Sequence, residues 1–260
     1  MSVQLDALAD EVFAAAAAQA SSVCVVDRRP FGEVRRSAGY PDLVFLKGIT
    51  ELRAENWSAA DLERVIAENF GEIVNVRVCS RDRETIAHLG PRLIEASYQA
   101  ECRVAMVQVA GPQRFGPVGN VRLVETPADW DNFDRLIRAE TAQHGWRVEI
   151  SEQLTRLYRQ GEKDVQSWLL GCVEGQTAGY VGLYQHGRVG YLHALYTRPE
   201  SRRHGLGSAL IHEASELART RGCERLTLQC ARDSFLPNFY QRLGFRGVGE
   251  MWIWIKPADP

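Results

Sequence analysis

The chain has 260 residues, which is enough for one large domain or two modest ones. Its 45% hydrophobic and 25% charged residues are ordinary proportions for a globular protein. The formal net charge of −2 argues against a general nucleic-acid-binding protein, which needs a basic surface.

The cysteines and the N-terminal residues indicate a cytoplasmic location. The six cysteines are scattered and form no Cys-x-x-Cys pair, so we expect no metal site, and their apolar surroundings favour a reducing compartment. Asp6, Asp10 and Glu11 precede the run Ala14–Ala18, where a signal peptide would carry basic residues. No apolar run reaches the roughly 18 residues that a membrane-spanning helix needs, so we expect no membrane partner.

The first 112 residues predict an α/β domain. The alanine-rich residues 4–20 form a helix in this prediction, because alanine is the best helix former. Leu43–Leu46 predicts a short strand, and Ser58–Asp61 has the spacing of a capping box before a helix. The other expected elements are a strand beginning at 21–26, a loop at 27–32, a strand at 73–78, a helix at 85–97 interrupted near Gly90-Pro91, and a strand at 103–109.

A second domain is predicted at residues 113–260, after a linker at Gly111–Pro117 that contains two prolines and two glycines. Short turns containing glycine join three strands, at 167–173, 178–184 and 188–196, which should pair antiparallel. The remaining expected elements are a strand at 121–125, helices around 130–137 and 150–158, a helix at 206–221, a strand at 225–230, a helix at 235–243 and a strand at 251–255.

Between one of these strands and the next helix lies the segment Arg202-Arg203-His204-Gly205-Leu206-Gly207-Ser208. Glycines without a Cβ let the backbone approach a bulky ligand. The unpaired N–H groups and the dipole at a helix start, together with Arg202 and Arg203, suit a pyrophosphate or another anion. On spacing alone, an anion-binding loop and a flexible loop that caps a helix are equally open.

The spacing Arg-x-x-Gly-x-Gly after a strand, followed by Asn238-Phe239-Tyr240-Gln241-Arg242-Leu243-Gly244-Phe245, resembles the GNAT superfamily of N-acetyltransferases. The resemblance is strongest over residues 190–245 and extends over 121–255. It implies a GNAT-type α/β fold with a mixed sheet and acetyl-CoA as cofactor, its pyrophosphate held by the loop.

The order strand, helix, strand, helix, strand over residues 43–109 echoes the C-terminal half. We therefore expect two tandem GNAT-like domains, of which the first is a degenerate copy. Its corresponding junction, Gly48–Arg53, lacks the glycine loop, so this copy should not bind coenzyme A. An unrelated α/β domain is the alternative.

The resemblance also implies which residues bind the cofactor. The backbone N–H of Leu195 or Tyr196 would polarise the thioester carbonyl. Asp233 stands where many family members have an asparagine that contacts the pantetheine arm, and an ionised aspartate cannot donate, so that contact is lost or passes to Ser234 or Asn238. The expected cofactor-binding residues are Leu195, Tyr196, Thr197, Arg202, Arg203, His204, Gly205, Leu206, Gly207, Ser208, Asp233 and Asn238.

Two side chains are candidates for proton transfer. The resemblance places Tyr240 beside the thioester sulfur, where its phenol could protonate the departing thiolate; the alternative is a core aromatic residue. His193 is the candidate base, or else a core histidine; in the predicted strand, residues 191, 193 and 195 share one face. This stretch resembles the arylalkylamine N-acetyltransferases, which carry His-x-His here, although Tyr191 replaces the first histidine. The reserve bases are Glu125, Glu140 and His144.

The sequence therefore predicts an acetyl-CoA-dependent N-acetyltransferase that acts on a primary amine of a small molecule or a peptide, as a monomer or homodimer. A non-catalytic acyl-CoA-binding or sensor module is the first alternative. A structural or partner-binding protein is the second, and it would not bind coenzyme A at all.

Overall fold

The computed structural model describes residues 2–109, 120–161 and 164–258. Its helices are α1 (Ser2–Ser21), α2 (Ala59–Phe70), α3 (Arg83–Glu95), α4 (Pro127–Gln143), α5 (Val148–Gln160), α6 (Leu206–Thr220) and α7 (Leu236–Arg242). Its strands are β1 (Val25–Arg29), β2 (Gly32–Arg36), β3 (Gly48–Thr50), β4 (Arg77–Ser80), β5 (Gln99–Gln108), β6 (Val121–Leu123), β7 (Gln166–Val173), β8 (Gln176–His186), β9 (Val189–Thr197), β10 (Arg225–Ala231) and β11 (Phe245–Ile255). Every described helix is too short or too polar to cross a membrane.

The chain forms two compact units. Residues 1–19, 105–229 and 235–248 form the larger unit, and residues 20–104, 230–234 and 249–260 form the smaller one. The predicted linker at Gly111–Pro117 lies outside the described residues. The domain boundary after residue 112 and the tandem duplication therefore stay predictions.

The sheet of the larger unit has the strand order β10-β9-β8-β7-β6. β6, β7, β8 and β9 pair antiparallel in succession, which confirms the predicted hairpins, whereas β10 pairs parallel to β9. A parallel pair needs a crossover connection, and α6 provides it. The fold is therefore mixed α/β, as the sequence predicts.

Helix α6 packs closely on this sheet because two strands carry glycine beneath it. A Cβ at Gly171 would lie 2.6 Å from Leu206 Cδ1, and one at Gly179 would lie 3.2 Å from Leu206 Cδ2. Leu206 opens the helix and is 1% exposed. Its apolar face continues through Leu210, Ile211, Ala214 and Ala218. The first turn of α6 is thus anchored against the sheet, which fixes the loop that precedes it.

The smaller unit has a sheet with the order β1-β2-β3-β4-β11, in which only β3 and β4 run parallel. Its helices begin as the sequence predicts. Ser58 and Asp61 form a complete capping box at the start of α2, and Asp82 caps α3 by accepting a bond from the Thr85 N–H at 2.8 Å.

Three sequence predictions for the smaller unit are wrong. Residues Val44–Leu46 form a short 3-10 helix rather than a strand, and residues 27–32, expected as a loop, contain the turn of the β1–β2 hairpin. Helix α3 runs through Pro91 without interruption. The buried Trp254 indole packs against Gly90, where an added Cβ would lie only 3.2 Å from the ring. This tertiary packing holds the helix together at a position where proline disfavours it.

A polar cavity of about 230 Å³ opens where β3 and β4 end. It is lined by Glu51, Leu52, Arg53, Arg81 and Asp82. Arg81 forms an ion pair with Glu51 at 3.0 Å, and Asp82 is engaged by its helix cap. The junction predicted to correspond to the glycine loop is therefore lined by charged side chains.

Candidate active site

The predicted anion-binding loop ends at the N-terminus of α6. Gly205 is the N-cap residue and has a left-handed backbone with φ 82°, which glycine adopts without steric cost. Arg203 also has a positive φ, of 65°. This conformation points the first-turn N–H groups of α6 out of the helix end, where such groups lack intrahelical partners. The loop therefore offers backbone donors and a helix dipole to an anion.

Gly207 lies in the first turn of the same helix. A Cβ there would lie 3.5 Å from Phe239 Cζ and 4.0 Å from Thr197 Cγ2, both ordinary contacts. The protein's own packing therefore does not require glycine at this position. The contact with Phe239, which precedes Tyr240 in α7, also shows that α7 lies beside the start of α6.

The two arginines at the head of the loop are exposed. Arg202 Nε donates to the Thr197 carbonyl at 3.2 Å, which folds its side chain back toward the end of β9. His204 is exposed beside them, and Ser208 is half-buried in the first turn of α6. These side chains surround the loop backbone with donors and positive charge.

A β-bulge interrupts β9 just before the loop. Pairing with β8 runs from His186–Val189 to Gly182–His193 and resumes at Tyr180–Tyr196, so Ala194 and Leu195 stand opposite a single residue. Ala194 takes a left-handed φ of 52°. A bulge leaves backbone groups outside the ladder. The bulge falls at Ala194 and Leu195, directly before Tyr196, and the N–H groups of Leu195 and Tyr196 are the candidates for binding the thioester carbonyl.

The bulge corrects one prediction made from strand periodicity. Side chains alternate along a regular strand, so residues 191, 193 and 195 were expected on one face. The extra residue shifts the alternation, and Tyr196 rather than Leu195 lies on the face of His193. The ring centroids of Tyr180 and Tyr196 are accordingly 5.7 Å apart across the strand pair.

His193 packs within a cluster of aromatic rings. Its ring lies 4.9 Å from that of Trp168 and 6.4 Å from that of Tyr158, and its Nε2 is 3.1 Å from the Gln166 amide nitrogen. Burial lowers the pKa of His193 to about 3. The imidazole is therefore neutral at neutral pH, and the acidic limb that a base of ordinary pKa would give near pH 6 to 7 is no longer expected.

Tyr240 is 7% exposed, in the middle of α7. Its ring makes edge contacts with Phe239 at 5.1 Å and Phe245 at 5.8 Å. The ring is thus part of the core of the larger unit, whatever its hydroxyl does.

The residues predicted to contact the pantetheine arm have different surroundings. Asp233 pairs with Arg232 at 3.2 Å and Ser234 Oγ donates to the Ala231 carbonyl, whereas Asn238 is exposed.

The reserve bases occupy different environments. Glu125 is exposed, and His144, at the end of α4, stacks on Trp146 at 4.7 Å. Glu140 is different, because its carboxylate accepts a hydrogen bond from the hydroxyl of the buried Tyr180. Sequence reasoning missed Tyr180, Gln166 and two aromatic neighbours of His193, Tyr158 and Trp168. The one available signal was the run of apolar and aromatic residues in β7 and β8.

The GNAT resemblance is borne out by comparison with known proteins. The model of the acetyltransferase (GNAT) family matches residues 131–245, which include α4, the β9 bulge, the glycine loop and Tyr240. A solved structure described as a GCN5-related N-acetyltransferase from Kribbella flavida has a TM-score of 0.65 at 14% sequence identity, over 96% of this chain and 96% of that one. The similarity of fold thus extends over both units.

Two curated relatives match part of the chain. Thialysine N-epsilon-acetyltransferase of Bos taurus is 31% identical over 142 residues, which cover 48% of this chain and 84% of that protein. Glucosamine 6-phosphate N-acetyltransferase of Trypanosoma brucei brucei is 41% identical over 58 residues, which cover 22% of this chain and 38% of that protein. The chain therefore belongs to the GNAT family of N-acetyltransferases.

Proposed function

We propose that this enzyme transfers the acetyl group of acetyl-CoA to a primary amine by direct attack of the amine on the thioester. The observation that carries the proposal is the pairing of two backbone features. The left-handed Gly205 opens the N-terminus of α6, and the β9 bulge at Ala194 lies just before that loop. The first feature suits a pyrophosphate, and the second suits a thioester carbonyl.

The residues present fit coenzyme A. The N–H groups at the start of α6, with Arg202 and Arg203 beside them, would hold the pyrophosphate. Gly207 leaves room for the cofactor to approach the backbone, since its hypothetical Cβ meets no protein atom closer than 3.5 Å. Leu206 and Ser208 complete the first turn, and Thr197 and Tyr196 end the bulged strand.

Acetyl-CoA supplies the thioester, so the chain's own residues need only bind, polarise and move protons. The Leu195 or Tyr196 N–H donates to the carbonyl oxygen, where negative charge develops during attack. A new C–N bond forms as the C–S bond breaks, and the amine loses one proton. Tyr240 gives its phenolic proton to the thiolate sulfur and regains one from solvent.

His193 is proposed to receive the proton of the amine, directly or through water. Its low pKa keeps the ring neutral and able to accept, but it also makes the imidazole a weak base. An amine that arrives already neutral would need no base at all.

The relatives support a primary amine as the acceptor, since thialysine and glucosamine 6-phosphate both carry one. We also propose that the protein is cytoplasmic and acts as a monomer or a homodimer.

The direct test follows release of the coenzyme A thiol with a panel of primary amines and identifies the acetylated product by mass. Acetyl transfer should release thiol and form N-acetyl product in equal amounts with at least one amine. Binding of acetyl-CoA without amine-dependent thiol release across the panel would instead indicate an acyl-CoA-binding or sensor module.

A further inference from the structure

The larger unit has a half-buried carboxyl group, that of Glu140, with no basic side chain paired to it among the described residues. Glu140, in the last turn of α4, accepts a hydrogen bond from the hydroxyl of Tyr180, which is 1% exposed. Burial raises the pKa of Glu140, and the hydrogen bond from Tyr180 and the charge of His144 oppose that rise. Among the described residues, no arginine or lysine forms an ion pair with Glu140. Buried charges in proteins are normally paired, so this carboxyl lacks its usual complement.

The ring of Tyr180, whose hydroxyl contacts the carboxyl, packs among aromatic side chains of α4, β7 and β9. The Tyr180 ring lies 4.9 Å from that of Phe133 on α4, 5.9 Å from that of Trp168 on β7, and 5.7 Å from that of Tyr196 on β9. Burial also raises the pKa of Tyr158 on α5, with the negative charge of Glu140 adding to the effect. These phenols therefore stay neutral and supply no charge of their own.

Tyr196 ties this cluster to the bulge. Its hydroxyl donates to Gln143 Oε1 at 3.3 Å, one turn from Glu140 on the same helix. Its backbone belongs to the end of β9, where the bulge resumes pairing. One residue thus connects the carboxyl-bearing helix with the place proposed for the thioester carbonyl.

From this arrangement we infer that Glu140 is the binding site for the ammonium group of a protonated aliphatic amine acceptor. Its negative charge, with the Tyr180 ring beside it, favours an ammonium over a neutral group. The inference rests on the proposed acetyl transfer and names the class of acceptor. It predicts discrimination against neutral amines, such as anilines, and against alcohols.

The test separates binding of the acceptor from the chemistry. Butylammonium and 1-butanol are compared by saturation-transfer NMR on the full chain with saturating coenzyme A, so that no turnover occurs. The wild type should bind butylammonium in preference to 1-butanol. Glu140→Gln should weaken butylammonium binding by about 10- to 100-fold, the usual effect of losing a charge-assisted hydrogen bond. It should leave the melting-temperature shift caused by acetyl-CoA unchanged.

Two further variants distinguish a binding role from a structural one. Glu152→Gln makes the same change at an exposed position of α5 and should leave butylammonium binding unchanged. Glu140→Asp keeps the charge but shortens the side chain, so it should bind butylammonium better than Glu140→Gln does. A purely structural role predicts the reverse order, because glutamine preserves the shape and can still accept from Tyr180.

Absence of butylammonium binding to the wild type, or equal binding by Glu140→Gln, would overturn the inference. With either of these results, the proposed acetyl transfer would still hold, without the role of Glu140, provided that acetyl-CoA raised the melting temperature and amines released thiol. Loss of the acetyl-CoA shift in the wild type would instead remove the proposed function.

Discussion

At the scale of single residues, Tyr240 provides the most specific test of the chemistry. Tyr240→Phe removes one oxygen and preserves the ring contacts with Phe239 and Phe245. If the phenol protonates the thiolate, kcat should fall about 10²- to 10⁴-fold while the affinity for coenzyme A barely changes. Steady-state kinetics with an acceptor from the screen measures both quantities.

The control for this variant is Tyr98→Phe, which makes the same change at a buried tyrosine of the smaller unit. It should leave kcat unchanged. Full activity in Tyr240→Phe would assign that ring to the core alone and leave protonation of the thiolate to water.

His193 should make the stability of the protein sensitive to acid. The unfolded chain takes up a proton on this residue as the pH falls below the ordinary pKa of about 6.5, whereas the folded protein does so only near the lowered pKa of about 3. The contribution is therefore complete above pH 6.5 and is lost progressively below it, by up to about 2 kcal/mol at pH 5. Urea unfolding should show a shallower decline with acid in His193→Asn.

The same change at the exposed His186, at the end of β8, is the control and should leave the pH dependence as in the wild type. Parallel pH dependences for His193→Asn and the wild type would show that His193 is not buried as described.

Residue spacing predicted the glycine loop but not the aromatic cluster. Gly205 could be recognised because a left-handed helix start selects glycine and leaves a mark in the sequence. The bond between Tyr180 and Glu140 joins residues 40 positions apart, and no local pattern encodes it. The depressed pKa of His193 likewise depends on rings contributed by other elements, so the reference value misled the sequence prediction.

At the scale of secondary-structure elements, the β9 bulge carries a backbone cost that can be measured. Ala194 is left-handed, which costs an L-residue roughly 1–2 kcal/mol that glycine avoids. Ala194→Gly should therefore raise the free energy of unfolding by up to about 1 kcal/mol, after allowance for the flexibility of glycine in the unfolded chain. Denaturant titration provides the measurement.

Ala209→Gly deletes the same methyl group from the regular backbone of α6 and should lower the free energy of unfolding by about 1 kcal/mol. The two substitutions are thus expected to have opposite signs. Destabilisation of similar size in both would contradict the left-handed bulge.

Elements with strong local signals were predicted best. The three strands β7, β8 and β9 and the capping box of α2 follow from turns, alternation and capping residues. Val44–Leu46 is too short for apolar content to distinguish a strand from a 3-10 helix. Pro91 suggested a break in α3 that packing overrides. The bulge had no signal, because alanine is not a residue that marks a left-handed turn.

At the scale of the whole molecule, the two halves differ in the residues at their strand-to-helix junctions. The larger unit has the glycine loop, whereas the place predicted to correspond to it in the smaller unit has Glu51, Arg53 and the Glu51–Arg81 ion pair. Titration calorimetry should therefore give one molecule of acetyl-CoA per chain. Two equivalent sites would contradict the assignment of a single functional loop.

The central claim, that the Gly205 loop holds acetyl-CoA, is tested most directly by the melting temperature with and without the cofactor. Acetyl-CoA at about 100 times its Kd should stabilise the wild type by roughly 2.7 kcal/mol. Gly205→Glu should abolish that shift by placing a carboxylate in the phosphate site. Gly222→Glu, also at a left-handed glycine but beyond the other end of α6, imposes similar backbone strain and should retain it. A wild-type melting temperature that saturating acetyl-CoA does not move, or an undiminished shift in Gly205→Glu, would contradict the account.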